Sequence, residues 1–257
     1  AVWHRGAVDA DGKTGDGAGI LTQIPYNFFD DEIAKTGHEK RDETLGIGMM
    51  FLPRNDYAAL EKCRTIIESE LLDHGYYIYG WRQVPINNSV IGEKANSTRP
   101  EIEQVMFVNN IERDKDFDFA KELYLVRRRL EKRIAKQQIN GFYVCSLSFE
   151  SIIYKGLFLA EQLSIFYPDL ANEEFISSFA VFHQRYSTNT FPSWGLAQPF
   201  RLLAHNGEIN TISGNTNWMR NHQTRITTEI FGDDSEQVKP IIEKNVSDSS
   251  ALDAAFE

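Results

Sequence analysis

The chain has 257 residues, enough to bury a full core within one domain. It carries 37 acidic against 27 basic residues, a formal net charge of −10. That balance argues against a nucleic-acid partner, because a surface that tracks phosphates should be net basic. No run approaches the roughly 18 apolar residues of a membrane span, so no membrane partner is expected.

Two cysteines in a chain this long do not make a disulfide framework, and a cytoplasmic setting is the simplest expectation. The start, Ala1-Val2-Trp3-His4-Arg5-Gly6, lacks the basic segment and apolar core of a signal peptide.

In chain order, Gly12 to Gly19 is a glycine-rich turn that leads into the apolar run Ile20 to Pro25. Its glycines do not sit between a strand and a helix, and no Gly-Lys-Ser/Thr closes a phosphate loop. Close backbone packing beside a strand is the expected reading, with a substrate-site wall as the alternative. Gly46 to Leu52 reads as a strand. Asn55-Asp56 then offers an N-cap to a helix whose stripe is Leu60, Cys63, Ile67 and Leu71, closed by Gly75. Cys63 on that stripe reads as a core thiol. Tyr76 to Val84 reads as a strand and Asn87 to Arg99 as a polar loop.

Asp116 to Gln138 is the clearest helix, with Phe119, Leu123, Val126, Leu130 and Ile134 on its apolar face. Arg127-Arg128-Arg129 lies within it among acids and is expected to be a solvated face. Phe142 to Phe149 and Ile152 to Leu159 are strands around a turn at Glu150-Ser151. Cys145 falls inside the first, where core packing is again expected. Phe179 to Tyr186 is a further strand, and Arg201 to Ala204 a short one running into His205-Asn206-Gly207. Asn210 to Arg225 looks helical, interrupted by Gly214. Val246 to Ser250 leads into a terminal helix. The order of strands and helices has no βαβ regularity. It predicts an α+β fold of antiparallel sheet covered by helices.

Both ends look cut: the chain opens without methionine in mid-pattern and ends on what reads as the opening of a helix. The expectation is one domain over residues 1–257, incomplete at both ends, from a larger polypeptide.

Three features carry chemistry. Arg185 closes the apolar run Phe179-Ala180-Val181-Phe182, and its planar fork suits a carboxylate, although a structural ion pair is the commoner use. Asn206-Gly207 places a side-chain amide beside a glycine N–H, the donors of an oxyanion hole, although Asn-Gly is also a common hairpin turn. Asp248, in a Ser-Asp-Ser run before a helix, reads alone as a cap or turn residue.

Taken together these segments resemble a known family. His4-Arg5-Gly6-Ala7, Gly15-Asp16-Gly17-Ala18-Gly19, His183 to Pro192, Leu196-Ala197-Gln198-Pro199, Leu203 to Thr211 and Gly214 to Met219 all match. So do Tyr76 to Arg82, Tyr154-Lys155-Gly156 and Phe166 to Leu170. The pattern resembles the amino-terminal glutamine amidotransferase (glutaminase) domain of the glutamate synthase large subunit, over essentially the whole chain.

The resemblance implies an N-terminal-nucleophile hydrolase fold, an αββα sandwich of two antiparallel sheets. It implies a cysteine thiolate that attacks the side-chain amide of L-glutamine, forming a thioester and releasing ammonia. By motif position Arg185 would hold the glutamine α-carboxylate and Asp248 the α-ammonium. Asn206 and the Gly207 N–H would form the oxyanion hole, Thr188 would line the pocket, and Arg5 would support the nucleophile loop. No metal and no cofactor is implied for this domain. FMN and an iron–sulfur cluster are implied for the rest of the parent protein. The implied partners are a downstream synthase domain of the same chain, which would use the ammonia on 2-oxoglutarate, and, as one option for the electron donor, a small NADPH-oxidising subunit.

One departure stands out. The family's nucleophilic cysteine opens the first strand a short way before the His-Arg-Gly motif, and no residue here matches it. The expectation is that the polypeptide as given is inactive alone. Three alternatives stay open: a non-catalytic glutamine-binding module, the glutaminase domain of another class II amidotransferase, and a structural interaction domain. The run Phe191 to Pro199 favours glutamate synthase over its relatives.

Overall fold

A computed structural model describes residues 6–185, 191–203, 205, 209, 211–244 and 246–257. In chain order the elements are β1 Ala18–Gln23, α1 Tyr26–Lys35, β2 Leu45–Leu52, α2 Tyr57–Asp73, β3 Tyr76–Gln83, α3 Glu93–Ser97, β4 Glu101–Asn109, α4 Phe119–Lys136, β5 Tyr143–Ser148, β6 Ser151–Gly156, α5 Leu163–Phe166, β7 Ala180–Gln184, α6 Ile212–Phe231, α7 Ser235–Val238 and α8 Asp248–Phe256. Short 3₁₀ turns join several of them.

The strands form two antiparallel sheets, in the orders β3-β4-β2-β5 and β6-β1-β7. The α+β class holds. Strand β2 is buried along its whole length and carries both faces of the larger sheet. On one face Met50 and Leu52 join Val105, Phe107 and Val144 beneath α2 and α4. On the other, Ile47, Met49 and Phe51 meet Met106, Cys145, Ile152 and Tyr154 between the sheets. Alternation along β2 and β4 thus feeds two cores, as a two-sided buried strand must.

The helices begin where the caps predict. Asp56 accepts from the Ala59 N–H at 2.9 Å to open α2, and Asp118 accepts from the Lys121 N–H at 3.0 Å to open α4. Gly75 ends the α2 turn with φ +79°, a left-handed backbone that favours glycine. The predicted stripe of α4 is the face that packs: Leu123, Val126, Leu130 and Ile134 are buried, and Phe119 is partly so.

Four expectations are corrected. Arg127 and Arg128 are not a solvated face. They are buried, paired with Glu131, Glu257 and Glu243, and they tie α4 to the carboxy-terminal segment. Arg201 to Leu203 is not a strand. The N–H groups of Arg201, Leu202 and Leu203 all donate to the Asp253 carboxylate, at 3.2, 2.9 and 2.8 Å, so a side chain of α8 replaces a strand partner. Helix α6 runs through Gly214 without interruption and ends at Phe231. The polar stretch Asn87 to Arg99 contains a 3₁₀ turn and α3 rather than only loop. Helix α1, the central strand β4 and the short helices α5 and α7 were not anticipated.

Candidate functional site

Strand β1 positions the site. Its Ala18–Thr22 segment pairs with β7 on one side and its full length with β6 on the other. The ladder continues past β7, because the Arg185 N–H donates to the Gly17 carbonyl at 2.8 Å. The chain ahead of β1 folds back along it: Val8 bridges Gly15, and the Asp16 N–H donates to the Ala7 carbonyl. A Cβ on Gly6 would strike the Gln184 side chain, so the first motif lies against the strand that carries Arg185. Three motifs distant in sequence therefore meet at one end of a three-stranded sheet.

The glycines of the early turn have a use here. A Cβ on Gly19 would lie 2.6 Å from the Gln198 carbonyl oxygen and 2.6 Å from Lys155 Cβ, and one on Gly17 would meet Ala197 at 3.0 Å. Bare backbone lets the segment Trp194 to Phe200 lie directly on the sheet. Trp194 anchors that segment. It is buried against Phe51, Phe158 and Phe166, and its Nε1 donates to the Ala95 carbonyl at 3.1 Å. Close packing, the expected reading of this turn, is what the structure has.

Arg185 is 7% exposed. Its Nη1 donates to the Leu196 carbonyl at 3.2 Å. Burial pulls its pKa down, opposed by the carboxylates of Asp16 and Asp248. Those carboxylates are thus close enough to act on the guanidinium. Asp248 is the first residue of α8. Its Oδ1 accepts from the Ser249 N–H at 2.7 Å, while the Ser247 hydroxyl caps the helix by accepting from the Ser250 N–H. Asp248 is therefore not the N-cap that its sequence position suggested. A buried guanidinium and a carboxylate fixed on a helix end make complementary partners for an amino-acid zwitterion.

His183 and His205 were quoted in the motif without a role. They are neighbours, and burial, with the nearby His205 and Arg185, holds the His183 imidazole below its ordinary range. Asp16 was likewise given no role. The Gly-Asp-Gly pattern was its only signal, and that pattern does not specify a charge facing Arg185. Arg5, Thr188, Asn206 and Gly207 lie outside the described residues.

Neither cysteine is equipped as a nucleophile. Both are fully buried. Burial pushes the Cys63 thiol up to about 11 and the Cys145 thiol up to about 12. The thiolate is the reactive form, and apolar surroundings withhold it.

Two antiparallel sheets with flanking helices, and a buried arginine under the field of two aspartates beside a glycine-bare strand, are the features that the chain brings to a comparison with known proteins. Residues 1–257 match the family model of class II glutamine amidotransferases, and the chain belongs to that family, whose fold is that of the N-terminal-nucleophile hydrolases. It is 60% identical, over its whole length, to the NADPH glutamate synthase large chain of Azospirillum brasilense. It is 43% identical over 99% of its length to the chloroplastic ferredoxin-dependent glutamate synthase of Spinacia oleracea. It is 41% identical, again over 99%, to the NADPH glutamate synthase large chain of Bacillus subtilis (strain 168). It spans only 16–17% of the length of these relatives.

Proposed function

We propose that residues 1–257 form one glutaminase domain of a glutamate synthase, in which hydrolysis of L-glutamine supplies ammonia for the reductive amination of 2-oxoglutarate. Arg185 holds the substrate α-carboxylate through its two-pronged donor face, and Asp248 holds the α-ammonium. Thr188 lines the pocket and Arg5 supports the nucleophile loop. The side-chain amide is then presented to a thiolate, which this reading takes from the family's amino-terminal cysteine. Attack on the amide carbon puts negative charge on its oxygen, and the Asn206 side chain and Gly207 N–H donate to that oxygen. Collapse, with a proton passed to the leaving nitrogen by the cysteine's own α-amino group, expels ammonia and leaves a thioester, which water cleaves to glutamate. FMN and an iron–sulfur cluster belong, on this reading, to the downstream synthase region, with NADPH or ferredoxin as the electron source and a cytoplasmic setting.

The observation that carries the reading is the burial of Arg185 beside Asp248 and Asp16. A cation so placed beside two carboxylates still offers a directional fork to an incoming carboxylate. The test is Arg185→Lys in the full-length protein bearing the amino-terminal cysteine. A point charge does not reproduce the fork, so KM for glutamine should rise about 10- to 100-fold, the worth of one charge-assisted contact. An unchanged KM rejects the carboxylate assignment. Asn206→Ala should lower kcat by roughly 10²–10³, and a near-normal rate would remove it from the oxyanion hole.

A further inference from the structure

Lys155 is fully buried, at 0% exposure, next to the last residue of β6. Burying an ammonium costs stability unless it is paired. Yet among the described residues no carboxylate lies within ion-pairing distance of its Nζ. The partners it has are the Gly195 carbonyl at 3.0 Å and the Tyr143 hydroxyl at 3.3 Å. It also lies over the rings of Tyr143 and Phe200, at 4.5 and 5.0 Å. Two of these partners, Gly195 and Phe200, belong to the segment laid over β1.

The next carbonyl in that segment, Leu196, is the one that accepts from Arg185. A cation on β6 and one just past β7 therefore hold consecutive carbonyls of the turn Trp194–Leu196. The sheet register explains how. Gly19 pairs with Lys155 on one side and His183 on the other, so lysine and histidine share a face with bare glycine between them. The Gln198 carbonyl, two residues beyond the turn, lies over that gap. A hydrocarbon side chain at 155 would fill the space as well, but it would leave the Gly195 carbonyl without a donor.

We propose that Lys155 is a positioning residue for glutamine recognition. By fixing the Gly195 carbonyl it sets the turn, and the adjacent Leu196 carbonyl then orients the Arg185 guanidinium toward the substrate carboxylate. The inference rests on the reading of Arg185 given above, and the experiment separates the two.

The variant is Lys155→Met in the full-length protein, close in length and volume but without charge or donor. KM for glutamine should rise about tenfold, the equivalent of one charged hydrogen bond. The value of kcat at saturating glutamine should stay within about threefold, and the thermal midpoint should hold or rise, because an apolar replacement of a buried charge is often neutral or stabilising. Lys155→Gln, which keeps an amide N–H for the carbonyl, should bring KM back to within about threefold of the parent. In the double variant with Arg185→Lys the two KM effects should not multiply, since both act through one turn.

An unchanged KM in Lys155→Met overturns the proposal. So does a Met variant that fails to fold, or that loses kcat and thermal stability together, because either marks a structural brace. A Gln variant no better than Met removes the Gly195 bond from the explanation. If Arg185→Lys alone leaves KM unchanged, the carboxylate reading falls and Lys155 falls with it. If Arg185→Lys raises KM and Lys155→Met does not, only the Lys155 inference is lost.

Discussion

At the scale of single residues, side-chain chemistry was more legible than environment. The fork of Arg185 could be matched to a carboxylate from sequence, but its burial beside Asp16 and Asp248 required the fold. The same limit produced the error at Arg127 and Arg128. A run of three arginines in an acidic helix looks solvated because the partners of two of them, Glu243 and Glu257, lie more than a hundred residues away. The cysteines were read correctly as core thiols, and their chemistry follows. With both thiols pushed to about 11 and about 12, almost none is thiolate near pH 8. The folded protein should therefore react with a thiol-directed disulfide reagent only as fast as it opens, and unfolding in guanidinium should release both groups. Cys145→Ala should leave glutaminase turnover of the full-length protein unchanged. Rapid labelling of two thiols in the native state would contradict the burial argument.

At the scale of elements, periodicity identified those with one buried face and missed those without. Helix α4 has a clean stripe and was read from its spacing. Strand β4 opens on Glu101, Glu103 and Gln104 with only Ile102 among them, yet it is buried from Ile102 to Val108, with Arg64 of α2 reaching Glu103 and Arg82 of β3 reaching Gln104. The sequence pattern of Arg201 to Leu203 is that of a strand, but its hydrogen bonds go to Asp253. Such a substitution of side chain for ladder leaves no local trace. The register of β1 was also invisible, and it makes a sharp prediction. Gly19→Ala would press a methyl group against the Gln198 carbonyl and the Tyr154 carbonyl, 2.6 and 2.8 Å away. Both are backbone atoms, so the neighbours cannot rotate aside. Overpacking of this kind costs about 1–3 kcal/mol. The same methyl should lift the segment that carries the Leu196 carbonyl, raising KM for glutamine as well as lowering the urea midpoint. A variant with neither effect would mean that the segment does not rest on β1.

At the scale of the whole molecule, buried ion pairs join distant parts alongside the apolar cores, and the acid response follows from those pairs. Between the sheets, Arg82 of β3 makes a bidentate pair with Asp169 at 2.7 and 2.8 Å and a second bond to Glu32 of α1 at 2.6 Å. Gln104 and the Tyr154 hydroxyl close the network from β4 and β6. At the other end Glu131 gathers Arg127 and Arg128 beside the carboxy-terminal helix. Burial works to raise the pKa of Glu32, but hydrogen bonds from Lys35 and Arg82 outweigh it and the net shift is downward. For Glu131 burial is again outweighed, by Arg127, Arg201 and Arg128. Glu122 is lowered chiefly by its bond to His74. A carboxylate whose folded pKa lies below its unfolded value binds fewer protons in the native state. Its contribution to stability is complete above the ordinary glutamate value of 4.5 and is lost as pH falls through the lowered one. The lowered His183 imidazole already costs stability as pH falls below its ordinary value of 6.5, and the urea midpoint should fall more steeply once pH drops below the ordinary glutamate value of 4.5. Glu131→Gln separates this cause from general charge repulsion. It should be less stable than the parent at neutral pH, by less than the roughly 3–5 kcal/mol of an uncompensated buried charge, because Arg127 keeps Glu257 and Arg128 keeps Glu243. It should also lose less on acidification, because the group that titrates is gone. Parallel pH profiles for parent and variant would rule out Glu131 as a source of the acid sensitivity.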